Sequence, residues 1–77
     1  YADLSATDLS YAKLSAADLK GANLRLADLT NADLGGADLS YADLAGARLG
    51  GTSLQRVKLD GAIWTDGRRC GSSDCPR

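Results

Sequence analysis

Seven aspartates recur through the first two-thirds of the chain, and their type and spacing could do chemistry. They lie five or ten residues apart, at positions Asp3, Asp8, Asp18, Asp28, Asp33, Asp38 and Asp43. Regularly spaced carboxylates could bind a basic partner or could act as an acid and base pair. Catalytic carboxylates, however, need a cleft that gives each one a different environment, whereas these repeat in near-identical surroundings. The spacing therefore favours solvated outer positions of a repeat, and we predict no catalytic set and no cofactor.

The chain has no histidine, which excludes Ser–His and Cys–His nucleophiles. Its two cysteines, Cys70 and Cys75, lie near the C-terminus with four residues between them. Without histidine or further cysteines they make a poor zinc site. They could remain free thiols, but a disulfide would close a small loop that is worth about 2 kcal/mol. We predict a Cys70–Cys75 disulfide, which favours an extracytoplasmic or secreted location over a cytoplasmic one.

Leucine recurs every five residues from Leu4 onward, and Trp64 occupies the thirteenth position of the series. The residue two positions before each of these is alanine except at Thr7, Thr52 and Val57. Such regularity marks an internal repeat, whose unit is Ala-Asp-Leu followed by two variable residues. We predict that the series forms the core, with members Leu4, Leu9, Leu14, Leu19, Leu24, Leu29, Leu34, Leu39, Leu44, Leu49, Leu54, Leu59 and Trp64.

A five-residue period fits neither an α-helix nor a straight strand. On a helix, a step of five turns the side chain by about 140°, so the leucines would scatter around the axis. On a strand, an odd step would send successive leucines to opposite faces. The leucines share one interior if the chain extends through Ala-Asp-Leu, with Asp outward, and bends at the next two residues. Repeated bending gives a closed coil whose turns pair their backbones at about 4.8 Å.

The unit A(D/N)LXX, repeated from Ala2 to about Trp64, resembles the pentapeptide-repeat proteins. The resemblance implies an all-β fold, a right-handed quadrilateral parallel β-helix with four units per coil. The chain would then form about three coils over residues 1–66, with residues 67–77 as an irregular C-terminal tail or cap that carries the cysteine loop. Periodicity alone leaves three or four sides open.

Charge is uneven along the chain. Residues 1–47 carry a net charge of −4 and residues 48–77 a net charge of +3. There is no basic stripe with interleaved aromatics, so we predict no direct nucleic-acid binding. Apolar runs are only a few residues long, so no membrane insertion is expected. The sequence starts inside a repeat, which favours a piece of a longer protein and an uncapped first coil open to end-to-end association.

We interpret the chain as a non-enzymatic structural or protein-interaction solenoid of a larger bacterial protein, whose partner is another protein or a neighbouring domain. The family resemblance offers an alternative: a mimic of duplex DNA that binds a type II topoisomerase such as gyrase. A β-helix enzyme acting on polysaccharides is a third, less favoured hypothesis, because no insertion between units forms a cleft. For either binding role, the candidate interaction surface is the outward set Asp8, Asp18, Asp28, Asp33, Asp38 and Asp43.

Overall fold

The computed structural model describes residues 2–70, which form a coil held together by single-residue β-bridges. Within this range there is no helix and no strand longer than one bridge. Nine parallel bridges join a residue to the one 20 positions later, from Asp3 with Asn23 to Asp43 with Ile63. One circuit therefore takes 20 residues, or four repeat units, as expected for a quadrilateral β-helix. Among the described residues, no helix has the length and apolarity needed to cross a membrane.

Each unit ends in a tight turn at its two variable residues. The alanine N–H of the next unit donates to the leucine carbonyl three residues earlier, as Ala32 does to Leu29 at 2.9 Å. The second turn residue has a positive φ, which is typical of a type II turn. All twelve such positions from Ala6 to Gly61 share this φ, and seven of them carry a side chain. The tertiary structure thus forces non-glycine residues into a backbone region that they usually avoid.

Backbone hydrogen bonds link each coil to the previous one. The middle residue of a unit turns both its N–H and its C=O toward the preceding coil. Asn23 donates to the carbonyl of Ala2 at 2.8 Å and accepts from the N–H of Leu4 at 2.7 Å. The same pair of bonds recurs at the following units. A coil therefore satisfies the polar groups of its neighbour, which lets short extended segments form a stable interior.

The interior is filled by the leucine and alanine positions of the repeat. Burial is complete in the middle of the stack, where Leu24, Leu29, Leu34, Leu39 and Leu44 have no exposed surface. Leu59 and Trp64 are also buried. The leucines of the first coil, together with Leu49 and Leu54, are only partly buried and pack against this core. The five leucines without exposed surface each have a coil on both sides, whereas the partly buried leucines have a coil on one side.

The chain reverses after Trp64 and covers part of the last coil. The N–H of Gly67 donates to the carbonyl of Trp64, and Ile63 forms an antiparallel bridge with Arg69. The N–H of Cys70 donates to the carbonyl of Ala62 at 2.6 Å, and Arg69 donates from Nη1 to the carbonyl of Gly61 at 2.8 Å. Residues 68–70 thereby occupy the row that a further coil would take on this side.

Candidate functional site: the outward aspartates

The six predicted surface aspartates are distributed over all four walls of the coil. Asp8 pairs with Asp28 on one wall, and Asp18 pairs with Asp38 on another. Asp33 lies on a third wall between Lys13 and Ser53, and Asp43 lies on the fourth between Asn23 and Ile63. The structure therefore brings them together in pairs at most, and they do not form one continuous acidic patch.

A column is the set of residues stacked 20 positions apart on one wall. Two columns change from negative to positive charge along the coil axis. Arg48 follows Asp28 in the first column, and Lys58 follows Asp38 in the second. These cations lie next to the carboxylates, as four units per coil imply. The positive charge of Arg48 tends to lower the pKa of Asp28, whereas the negative charge of Asp8 tends to raise it. The basic residues at the end of each column limit the acidic surface to the first two coils.

Each of the six carboxylates has a local structural task. Its Oδ1 accepts a hydrogen bond from the backbone N–H two residues later, at distances of 3.0 to 3.2 Å. Asn23 does the same for Arg25 through its side-chain carbonyl, at 3.2 Å. These are Asx turns, in which a short polar side chain replaces a backbone acceptor. Each of these aspartates thus stabilises the corner that follows it, and its Oδ1 already accepts a hydrogen bond.

Several of these carboxylates also receive a hydroxyl hydrogen bond. The hydroxyl of Ser10 donates to Oδ1 of Asp8 at 2.6 Å, and that of Thr30 donates to Asp28. These hydroxyl bonds, followed by the backbone N–H bonds, lower the pKa of both carboxyls below the ordinary value. The same causes lower the pKa of Asp3 and Asp38. Sequence reasoning missed this role, although its signal is the serine or threonine two residues after the aspartate.

One ion pair crosses between coils on the Asp43 wall. Nε of Arg25 lies 3.9 Å from Oδ2 of Asp43, and the arginine side chain is 61% exposed. An exposed pair of this kind contributes about 0–1 kcal/mol. Within residues 2–70, no group of three or more acidic, cysteine or histidine residues is arranged to hold a metal ion. The outward side chains are displayed on the four walls of the coil.

The predicted cysteine pair falls at the edge of the described structure. Cys70 is buried with 4% of its surface exposed, next to the last coil. Cys75 lies outside the described residues, so the Cys70–Cys75 disulfide stays a prediction. The buried position of Cys70 nevertheless shows that the chain returns to the coil after Trp64. A bond at this point would attach the tail to the base of the core.

Comparison with known proteins gives the same architecture. The family profile of Pentapeptide repeats matches in eight copies, over residues 2–40 and 27–63. The crystal structure of HetL from the cyanobacterium Nostoc sp. strain PCC 7120, a pentapeptide repeat protein involved in heterocyst differentiation regulation, is 38% identical with a TM-score of 0.87. The pentapeptide repeat protein Rfr23 from the cyanobacterium Cyanothece 51142 is 41% identical with a TM-score of 0.60.

The matched regions cover most of this chain but only part of each relative. The alignment covers 88% of this chain and 32% of HetL, and 78% of this chain and 48% of Rfr23. The chain thus spans about a third and about half of these two proteins. No match to a curated protein sequence was found.

Proposed function

Because the chain belongs to the pentapeptide-repeat family, whose members are generally non-enzymatic repeat proteins with a right-handed quadrilateral β-helix, we propose that it is a rigid solenoid for protein interaction. It would consist of about three coils and would serve as a spacer or docking surface within a larger bacterial protein. A solenoid of stacked repeats is stiff, and its outward positions can vary without loss of the core. The partner is another protein or a neighbouring domain.

The observation that carries this proposal is the local use of the aspartates. In the units that have Asp or Asn at this position, a side-chain oxygen accepts the N–H that begins the corner. Other units place Lys13, Arg48 or Ile63 at the same position. The repeat therefore needs a polar acceptor at many corners but does not need a continuous negative surface. Such walls suit recognition by shape and by a few variable side chains.

The alternative function is mimicry of duplex DNA for a topoisomerase such as gyrase. A mimic needs dense, uniform negative charge, because duplex DNA carries one charge about every 1.7 Å along its axis. Here two of the four outward columns end in Arg48 and Lys58. The carboxylates are spread over four walls, and basic residues lie at one end. This arrangement is a poor copy of the phosphate spacing of DNA. We therefore favour the protein-interaction solenoid over DNA mimicry.

A supercoiling assay with the purified chain distinguishes the two functions. The matched variants replace Asp28, Asp38 and Asp43 by Asn, which removes charge but keeps the side-chain carbonyl that Asn23 uses in the same turn. We expect no inhibition of gyrase by the parent at low or physiological salt. Inhibition that disappears in the folded triple variant would replace our proposal by DNA mimicry, because only a charge-based mimic depends on these carboxylates.

A further inference from the structure

The wall that carries Asp28 and Arg48, called the Asp28 wall below, combines an exposed leucine with a change of charge. Leu26 begins this wall and is 68% exposed, although its coil has a neighbouring coil on both sides. Among residues 2–70 it is the one large aliphatic side chain that is exposed. A single exposed leucine is common on protein surfaces, so the residues around it decide whether this surface suits a partner.

The Asp28 wall is flat around Leu26. The leucine lies over Gly46 of the next coil, because a Cβ there would stand 2.7 Å from Cδ2 of Leu26. At the far side of the wall, Thr30 is half-buried and its hydroxyl donates to Asp28. Below Thr30, no atom lies within 4 Å of the position that a Cβ on Gly50 would take. A second flat surface can therefore approach this wall closely.

We infer that a second copy of this chain packs on the Asp28 wall with its coil axis antiparallel to the first. The twofold axis lies between the two walls, at right angles to the coils and midway between the second and third coils. Such an axis makes each column face the same column of the second copy in reverse order. Asp28 then faces Arg48 of the second copy, and Arg48 faces Asp28 of the second copy.

This register gives an alternating arrangement of four charges. Within one copy, Asp28 and Arg48 are already neighbours in adjacent coils. Across the contact each of them meets its opposite charge again, so every nearest pair among the four is attractive. Electrostatic complementarity of this kind fixes register and suppresses other pairings.

The same register brings the two exposed leucines together. Leu26 extends toward Gly46 and thus toward the level of the twofold axis. The Leu26 side chains of the two copies meet there, and each faces Gly46 of the second copy. Thr30 faces Gly50 of the second copy, where the space is open. Larger side chains therefore lie opposite glycines, and the contact covers the leucine that one copy leaves exposed.

Other arrangements on this wall place like charges together. If the axis moves half a coil, to the level of Asp28, the two Asp28 carboxylates face each other. If the two coils run parallel, Asp28 faces Asp28 and Arg48 faces Arg48 of the second copy. Opposed like charges at an interface are unfavourable, so charge selects the antiparallel register midway between the coils.

The wall of Asp38 and Lys58 has a similar change of charge but lacks the apolar contact. There Gly36 takes the place of Leu26. Two lysines of the same chain, Lys58 and Lys20, tend to lower the pKa of Asp38, so this carboxylate already has two cationic neighbours. This wall therefore provides a matched comparison for the Asp28 wall.

The size of the contact predicts a weak dimer. Extents of 27 by 22 Å limit one wall to about 600 Å² per copy, or about 1,200 Å² in total, the lower end of specific interfaces. At about 1 µM the chain should be monomeric, and it should dimerise between about 10 µM and about 1 mM. Pairing of two copies goes beyond the proposed function, because a solenoid that docks another protein need not bind itself. A monomeric chain would leave that function intact.

Sedimentation equilibrium from about 1 µM to about 1 mM tests the dimer, and we expect a reversible monomer–dimer equilibrium. Arg48→Asp places a carboxylate opposite Asp28 on both sides of the axis and should raise Kd by about tenfold or more. The double variant Asp28→Arg with Arg48→Asp reverses both partners and should restore dimerisation. Lys58→Asp makes the same change below Asp38 on the other wall and should leave Kd unchanged.

Circular dichroism establishes that each variant is folded, and NMR gives a second readout. Acidic and basic residues both occur at this position of the repeat, as at Asp38 and Lys58, so the variants fit the coil. The methyl resonances of Leu26 should shift as concentration rises, whereas the amide of Gly36 should not. A chain that stays monomeric throughout, a folded double variant without restored dimerisation, or equal effects of Arg48→Asp and Lys58→Asp would each overturn the proposal.

Discussion

The ring of Tyr41 lies over Gly61, its neighbour in the next coil, and occupies the space that a side chain on Gly61 would need. A Cβ on Gly61 would stand 2.6 Å from Cε1 and 2.7 Å from Cδ1 of Tyr41. The same relationship joins Leu26 to Gly46, where a Cβ would stand 2.7 Å from Cδ2 of the leucine. In these two columns a large corner residue is followed by glycine in the next coil, whereas Tyr11 is followed by Asn31.

We predict that Gly61→Ala destabilises the fold, whereas Gly50→Ala does not. Gly61 combines the contact with Tyr41 and a φ of +70°, where a Cβ costs about 1–2 kcal/mol. Gly50 has an ordinary φ and no atom within 4 Å of the position that a Cβ would take, so alanine there should be neutral or stabilise by up to about 1 kcal/mol. Urea unfolding of both variants measures the difference. Equal midpoints for the two would contradict the stacking of Tyr41 on Gly61.

Leu34→Ala should cost about 2–5 kcal/mol, because it opens a cavity in the closed centre of the coil. Leu34 has no exposed surface, whereas Leu26 is 68% exposed at a corner. Leu26→Ala is therefore the matched control, with an expected effect below about 1 kcal/mol. Thermal or urea unfolding tests both. A loss of similar size in the two variants would refute the assignment of the leucine series to the interior.

Acid should destabilise the fold through the aspartates that accept hydroxyl hydrogen bonds. The pKa of Asp3, Asp8, Asp28 and Asp38 is lowered in the folded chain from the ordinary value of 3.8. The ionised carboxyls therefore stabilise the fold at pH values above their pKa in the unfolded chain. This contribution to the stability of the fold is lost as pH falls through their pKa in the folded chain. Unfolding midpoints should be steady above about pH 5 and should fall below about pH 4.

Ser10→Ala provides the control for this pH dependence. It removes the hydroxyl donor to Asp8 but leaves the backbone N–H bond in place. The pKa of Asp8 should therefore rise toward its ordinary value, while the hydroxyl of Thr30 still keeps the pKa of Asp28 low. Carboxyl chemical shifts followed during an NMR titration report both groups. An unchanged Asp8 titration in the variant would show that the hydroxyl has no such role.

We predict that Cys70 and Cys75 are joined in the purified protein. Intact mass after alkylation under native, non-reducing conditions should show no added label, and reduction should expose two thiols. Reduction should also lower stability by about 2 kcal/mol or less, as expected for a short loop. Cys75→Ser is the control, because it removes the bond without the use of reductant. Two freely labelled thiols in the native, oxidised sample would remove this argument for an extracytoplasmic location.

The amino-acid sequence by itself determined the local unit. Leucine every five residues, with alanine two positions earlier, indicates an extended segment, an inward leucine and a bend, because neither a helix nor a straight strand could bury the series. It also indicates outward aspartates in seven of the thirteen units. The number of units per coil came from the resemblance to a family, since the period permits either three or four. The tight repeat explains why so much of this fold was predictable.

Only the tertiary structure decided which side-chain contacts form between coils and what the outward residues do. The 20-residue register places Asp8 on Asp28, Arg25 near Asp43 and Tyr41 over Gly61, contacts that no single unit contains. Stacking also requires a positive φ at corners such as Leu26 and Arg56, against their intrinsic preference. The sequence indicated a tail or cap after residue 66, but it did not indicate the antiparallel bridge between Ile63 and Arg69, because no repeat marks it. The physical reason is that repeat periodicity is a local signal, whereas coil closure and end capping depend on contacts between distant segments.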